Sequence, residues 1–141
     1  MATGTTIPNV RRQTKQFAPI EAQIQRAIAR IADSDCPVLI MGEHGVGKRS
    51  IAAQIHSQSH RSRSAYTEIH SADADVEALL SAFSTKGTVY LSEVGDLSLS
   101  LQELIIKTYF HSAEALGSRL LCGTSCELIG DVKTSRMRED F

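Results

Sequence analysis

The sequence predicts an α/β domain of three layers, in which a mostly parallel sheet of four or five strands is flanked by helices. Two observations predict it. Short apolar runs at 38–41, 88–91 and 119–124 and a loosely alternating stretch at 65–70 are interspersed with segments whose apolar residues recur every three or four positions, the pattern of strands joined by right-handed helical crossovers. The first of these runs, Val38-Leu39-Ile40-Met41, breaks into a turn with three glycines, Gly42-Glu43-His44-Gly45-Val46-Gly47-Lys48, and resumes as a helix.

In chain order, residues 1–16 are polar and carry Arg11, Arg12 and Lys15 without periodicity, so they read as a flexible leader before a single unit at 17–141. Ile20, Ile24, Ile28 and Ile31 then mark a helix supported by alanines, with Pro19 suited to its first turn. Asp33 to Pro37 breaks it. Val38 to Met41 is near-continuously apolar, as a central strand covered on both faces must be.

A second helix from Gly47 to Ser57 carries Ile51, Ala52 and Ile55. The loop after it holds His60, Arg61 and Arg63, which with His56 form a small basic cluster. It is either a solvated loop or a contact for adenine, phosphate or a neighbouring subunit. Ala65 to His70 reads as a more peripheral strand, and Asp73 to Phe83 as a helix capped by Asp73 or Asp75. Thr88 to Leu91 is a buried strand that runs into Ser92-Glu93. Leu99 to Phe110 is a helix with a polar exit at 111–118, and Arg119 to Thr124 is the fourth strand. Parallel sheets bind ligands beyond the carboxyl ends of their strands, which gathers the loop 42–48, Ser92-Glu93, His70 and Ser125 on one edge.

With 141 residues, 42% of them hydrophobic, the chain is long enough for one core. A formal charge of −1 gives no electrostatic footprint for direct DNA binding or an anionic membrane. The odd set Cys36, Cys122 and Cys126 forms no disulfide framework and no metal site, and with no secretory segment it predicts a reducing, cytoplasmic setting.

Gly42, Gly47 and Lys48 satisfy the Gly-x-x-x-x-Gly-Lys part of a phosphate-binding loop, with a strand before and a helix after. Glycines let successive backbone N–H groups turn inward around an anion, and the helix adds its positive end. The predicted ligand set is Gly42, Glu43, His44, Gly45, Val46, Gly47, Lys48, Arg49 and Ser50, with Lys48 on the β- and γ-phosphates. A glycine turn with a surface lysine is the plain alternative. Arg49 stands where the motif wants a magnesium-binding Ser or Thr. Ser50 comes one position late, and at 100° per residue its hydroxyl points elsewhere.

The order of segments resembles the central ATPase domain of sigma-54-dependent transcription activators, a branch of the AAA+ P-loop NTPases. "VLIMGEHGVGK" resembles the family's Walker A segment, "GTVYLSEVGDLSLSLQELI" its Walker B segment and sequel, "RLLCGTS" its sensor I strand, and "SRMRED" the segment with arginine fingers. The resemblance implies ATP or ADP as ligand, Glu93 as the residue that polarises the attacking water, Ser125 at the sensor position and Arg138 as a finger that reaches a neighbouring subunit.

Several positions depart from that pattern. Ser92 replaces the aspartate that holds magnesium, so magnesium binding is weakened and no metal ligand is assigned. Ser125 replaces an asparagine, and Arg49 replaces a glutamate. The GAFTGA loop that grips sigma-54 is missing, with about 16 residues where the family has a longer insertion. The helical lid and second finger are not in the sequence, so monomers or dimers are expected in place of a ring, with self-association or other domains of a longer regulator as partners.

The expectation is a module that binds nucleotide with little or no hydrolysis and does not remodel sigma-54 by the usual loop. A functional transcription-driving ATPase and a scaffold domain with a relic loop are the alternatives. Arg49 either offsets phosphate charge in place of magnesium, giving weak magnesium dependence, or faces solvent.

Overall fold

A computed structural model of the chain describes residues 5–6, 17–43, 45, 47–110 and 117–125. Five strands, β1 (Thr5–Thr6), β2 (Val38–Met41), β3 (Tyr66–His70), β4 (Thr88–Ser92) and β5 (Arg119–Thr124), form one sheet in the order β1-β2-β5-β4-β3. Every neighbouring pair is parallel. The helices between them are α1 (Phe17–Ala32), α2 (Lys48–Ser57), α3 (Val76–Phe83) and α4 (Leu99–Ile105).

Strand pleating sends alternate side chains to opposite faces, and here each face has its own core. Val38, Ile40, Tyr90 and Leu121 pack with Ile28 of α1 and Ile51, Ala52 and Ile55 of α2. On the other side Val89, Leu91 and Leu120 pack with Leu79, Ala82 and Phe83 of α3 and Leu101 and Ile105 of α4. The domain is therefore three-layered, as the alternation of patterns predicts. β4 and β5, buried on both faces, lie inside the sheet; β3, with Glu68 and His70 exposed, is its edge.

One boundary is corrected at the start of the chain. Thr5 and Thr6, read as part of a leader, pair with Ile40 and Met41 of β2. The open side of β2 carries backbone groups that need partners, and β-branched threonines suit an extended strand. Two polar residues are too few to show a period. The remainder of 1–16 lies outside the described residues.

Smaller differences are local. α3 begins at Val76, because Asp75 is its cap and accepts from the Ala78 N–H at 2.7 Å, while Asp73 sits in the preceding 3₁₀ turn. Ser98 caps α4 in the same way, through Leu101 N–H. The helix expected to run unbroken to Phe110 widens into a π-turn at Ile106–Phe110.

The basic cluster read in the loop after α2 is dispersed. His60 and Arg61 both meet Asp35, and the Arg61 guanidinium also donates to the Lys86 and Gly117 carbonyls at the amino ends of β4 and β5. Its role is to fasten loops at the end of the sheet away from the glycine turn. His56 is buried, its Nδ1 2.8 Å from Thr88 Oγ1 and its ring against Tyr66.

Burial pulls the His56 pKa below the ordinary histidine value, with a backbone contact from Ser64 opposing it. The unfolded chain then takes up a proton first as pH falls. The contribution of His56 is complete above about pH 6.5 and is lost as pH drops toward and through its folded pKa. Urea midpoints are expected to decline from pH 7 to pH 5, with a shallower decline in His56→Gln; equal slopes in the two proteins contradict this.

Candidate functional site

The glycine turn stands at the carboxyl end of β2, anchored by Gly42 N–H donating to Thr124 O at 3.2 Å. Gly45 and Gly47 have φ of 84° and 91°, left-handed values that glycine adopts without strain, and Gly47 is the residue from which α2 starts. α2 has no side-chain cap at that end. Its first N–H groups are left to whatever sits over the turn, and an anion is the natural partner.

Lys48 opens α2 and is buried, 8% exposed. Its ammonium donates to Gly42 O at 2.8 Å and Glu43 O at 3.0 Å, and stands 4.0 Å from Glu93 Oε2. A buried ammonium needs such partners, and here they are the rim of the turn itself. Beside it opens a cavity of about 520 Å³ lined by Gly45, Gly47, Lys48, Arg49, His70, Tyr90, Ser92 and Glu93, within the size range of small-molecule sites.

Sheet order explains the company. The carboxyl ends of β3 and β4 lie across from β2, with β5 between, so His70, Ser92 and Glu93 reach the turn from the far side. His70 Nδ1 is 3.0 Å from Ser92 Oγ. Glu93 has φ 52°, a left-handed backbone that costs a non-glycine residue about 1–2 kcal/mol. Its Oε1 accepts from Ser125 N–H at 3.2 Å and from Ser125 Oγ at 2.9 Å. Among the described residues, the turn, His70, Ser92, Glu93 and Ser125 thus stand on one edge of the sheet.

Arg49 lines the cavity with a largely exposed side chain that has one ionic partner among the described residues. Its guanidinium grips Glu68 of β3 by Nε to Oε2 at 2.7 Å and Nη2 to Oε1 at 3.2 Å. Ser50 faces elsewhere: its Oγ accepts from Gln54 Nε2 at 3.1 Å, and it is not among the cavity-lining residues. Gly42 and Glu43 contribute carbonyls to Lys48 and do not line the cavity. His44, Val46, Arg138 and Cys126 lie outside the described residues.

Two participants went unread in the sequence. Tyr90, in sequence a core strand residue, forms part of the cavity wall, and burial drives its phenol well above the ordinary tyrosine pKa. A Cβ on Gly123 of β5 would fall 2.3 Å from its hydroxyl, so glycine there makes room for the ring. Glu68 is the other. A charged residue with the same pleat parity as Tyr66 and His70 was the available signal.

The donor set distinguishes the groups this edge could hold. Left-handed glycines, an uncapped helix start and a lysine suit the phosphates of a nucleotide. Magnesium requires several oxygen ligands in near-octahedral array. Beside a nucleotide, water and phosphates supply most of these and the protein one or two; here the strand-end oxygen is Ser92 Oγ, a neutral hydroxyl 3.0 Å from His70 Nδ1, and Arg49 brings a cation. The residues present fit the polyphosphate and do not fit a directly held magnesium ion.

Residues 17–141 match the family described as the Sigma-54 interaction domain. The hydrogenase transcriptional regulatory protein HoxA of Cupriavidus necator is 29% identical over 154 residues, covering 88% of this chain and 32% of the relative. The response regulator protein FleR of Pseudomonas aeruginosa is 30% identical over 153 residues, covering 87% and 32%. The chain therefore spans about a third of these relatives' length.

Among solved structures, NtrX from Brucella abortus in complex with ATP superposes with a TM-score of 0.72 at 24% identity, over 85% of this chain and 33% of that one. The P-loop NTPase domain of a sigma-54 transport activator from E. coli gives 0.66 at 20% identity, over 87% and 88%. These two likenesses concern the fold. No helix among the described residues is long and apolar enough to cross a membrane. The family match covers residues 17–141, a range that takes in the turn, the acidic strand end and the strand beside them, and the chain belongs to the sigma-54 interaction domain family.

Proposed function

We propose that this chain is the nucleotide-binding module of a sigma-54-activator-like regulator, and that it holds ATP or ADP while turning over little of it. The observation that carries the reading is the contrast within one cavity. On the β2 side stand Gly45, Gly47 and the buried Lys48; on the β4 side Ser92 occupies the strand end where a metal-holding carboxylate belongs, and is bonded to His70. The relative crystallised with ATP shares the fold.

Glu93 is the residue proposed to polarise water. Its carboxylate accepts two hydrogen bonds from Ser125 and faces Lys48, so it must exchange some of these before it can orient a water molecule. Losing one polar transition-state contact commonly removes about 10²–10³ in rate, and two such positions, Ser92 and Ser125, differ from the hydrolytic pattern. Arg138 is proposed as the finger toward a neighbouring subunit.

Output through the usual sigma-54-gripping loop is not proposed. Between His70 and Thr88 the structure has a 3₁₀ turn and the eight residues of α3. The alignment with HoxA spans 154 positions while 88% of 141 residues is about 124, so about 30 positions are filled by the relative alone.

Steady-state phosphate release tests the reading. Release near the buffer background is expected for the wild type even when saturated with magnesium and ATP, and brisk turnover overturns it. A scaffold with a relic loop is selected by the absence of any calorimetric heat with ATP or ADP.

A further inference from the structure

The poor fit for magnesium has a positive side, which rests on the nucleotide-binding reading. Three cationic or hydrogen-bonding nitrogen groups, Lys48, Arg49 and His70, line the cavity where the motif places one lysine and a metal. Arg49 is held in two-point contact by Glu68, yet its side chain remains 78% exposed and that of Glu68 30% exposed. A pair so open to water is weakly held and exchanges its carboxylate easily for a stronger anion. Glu68 itself is not among the lining residues, so the guanidinium bridges from the cavity mouth to a partner outside it.

We propose that the preferred ligand of this pocket is the metal-free nucleoside triphosphate, with Arg49 passing from Glu68 to the terminal phosphate when the ligand enters. Glu68 is then a positioning residue: it parks Arg49 at the mouth and sets the affinity by competing with the phosphate for it. Guanidinium matches phosphate oxygens in the same forked geometry in which it now grips the carboxylate. His70 supports the same end of the ligand. Its Nδ1 lies 3.0 Å from Ser92 Oγ, and an imidazole offers ring nitrogens that can donate to phosphate oxygens. A triphosphate without its divalent ion has the two extra negative charges that such a set of donors offsets; the magnesium complex does not.

The test is calorimetric titration of ATP into the full 141-residue chain at matched ionic strength, once in EDTA and once in excess magnesium. Binding in EDTA is expected to be at least as tight as in magnesium. Arg49→Ala should weaken the EDTA affinity by roughly tenfold to a hundredfold, the range for one charge-assisted contact, and change the magnesium affinity little. Glu68→Gln should tighten binding in EDTA by roughly threefold to tenfold, since it removes the competitor, and Arg49→Ala with Glu68→Gln should match Arg49→Ala alone. Binding that requires magnesium overturns this inference and leaves the nucleotide-binding reading standing. No heat under either condition overturns both. An unchanged or weaker affinity in Glu68→Gln overturns the parking role.

Discussion

Lys48→Ala is expected to weaken ATP binding by about a hundredfold, equivalent to ~2.7 kcal/mol, with less than about 1 kcal/mol of change in folding stability. The two effects separate because of what Lys48 touches. Its ammonium is satisfied by Gly42 O and Glu43 O, two carbonyls on the turn that water can reach once the side chain is removed. Neither core depends on the ammonium. A polyphosphate, in contrast, gains from Lys48 the buried positive charge of the cradle. Calorimetry with ATP and urea unfolding of the same variant check both halves. An affinity within about threefold of wild type would mean that the ligand, if any, sits elsewhere.

Arg119→Ala is expected to destabilise the fold by about 3 kcal/mol, a large part of the 5–15 kcal/mol typical of a domain. Arg119 is 1% exposed at the amino end of β5. Its fork donates from Nη2 to Ile31 O at 2.6 Å, from Nη1 to Ala32 O at 3.0 Å and from Nε to Cys36 O at 3.1 Å. Ile31 and Ala32 end α1, so one side chain satisfies carbonyls that a helix end leaves open and places a cation on its negative pole. Burial lowers the Arg119 pKa, with Asp35 pulling the other way, but a guanidinium stays protonated.

Removing the fork takes the donor from three carbonyls at once, that of Ala32 buried and those of Ile31 and Cys36 partly buried. The expected readout is a lower urea midpoint with an unchanged slope. Arg119→Lys should recover only part of the loss, because an ammonium lacks the planar geometry that reaches carbonyls on both α1 and the following turn. A loss below about 1 kcal/mol would show that water replaces the fork without cost.

These two residues also mark what was legible in the sequence. Lys48 belongs to a local motif: the spacing of Gly42, Gly47 and Lys48 after an apolar run states both its position and its chemistry. Strands followed from short apolar runs, helices from apolar residues every three or four positions, and the carboxyl-end edge from where parallel sheets bind their ligands. Arg119 carried no such signal. Its carbonyl partners are 83 to 88 residues away, and a strand-opening arginine in sequence looks like a solvated charge.

The same reason covers the dispersed basic cluster. His56, His60 and Arg61 are neighbours in the chain, yet Thr88 and Asp35 draw them to different places. Arg49 was readable as an oddity of the motif, but not its hold on Glu68, because a cross-element ion pair leaves no pattern. Tyr90 was hidden by its own apolar strand. Gly123 on the neighbouring strand, the residue that makes room for its ring, explains itself only when β4 and β5 are side by side.

The central claim, that the turn after β2 is a working phosphate cradle, is tested most directly by a crystal structure with a non-hydrolysable ATP analogue. The expected result is a β- or γ-phosphate oxygen within hydrogen-bond distance of Lys48 Nζ, with that ammonium released from at least one of Gly42 O and Glu43 O, and the phosphates over the backbone N–H groups of Gly45, Gly47 and Lys48. A turn still closed on Lys48, with the analogue absent or bound away from α2, would contradict it.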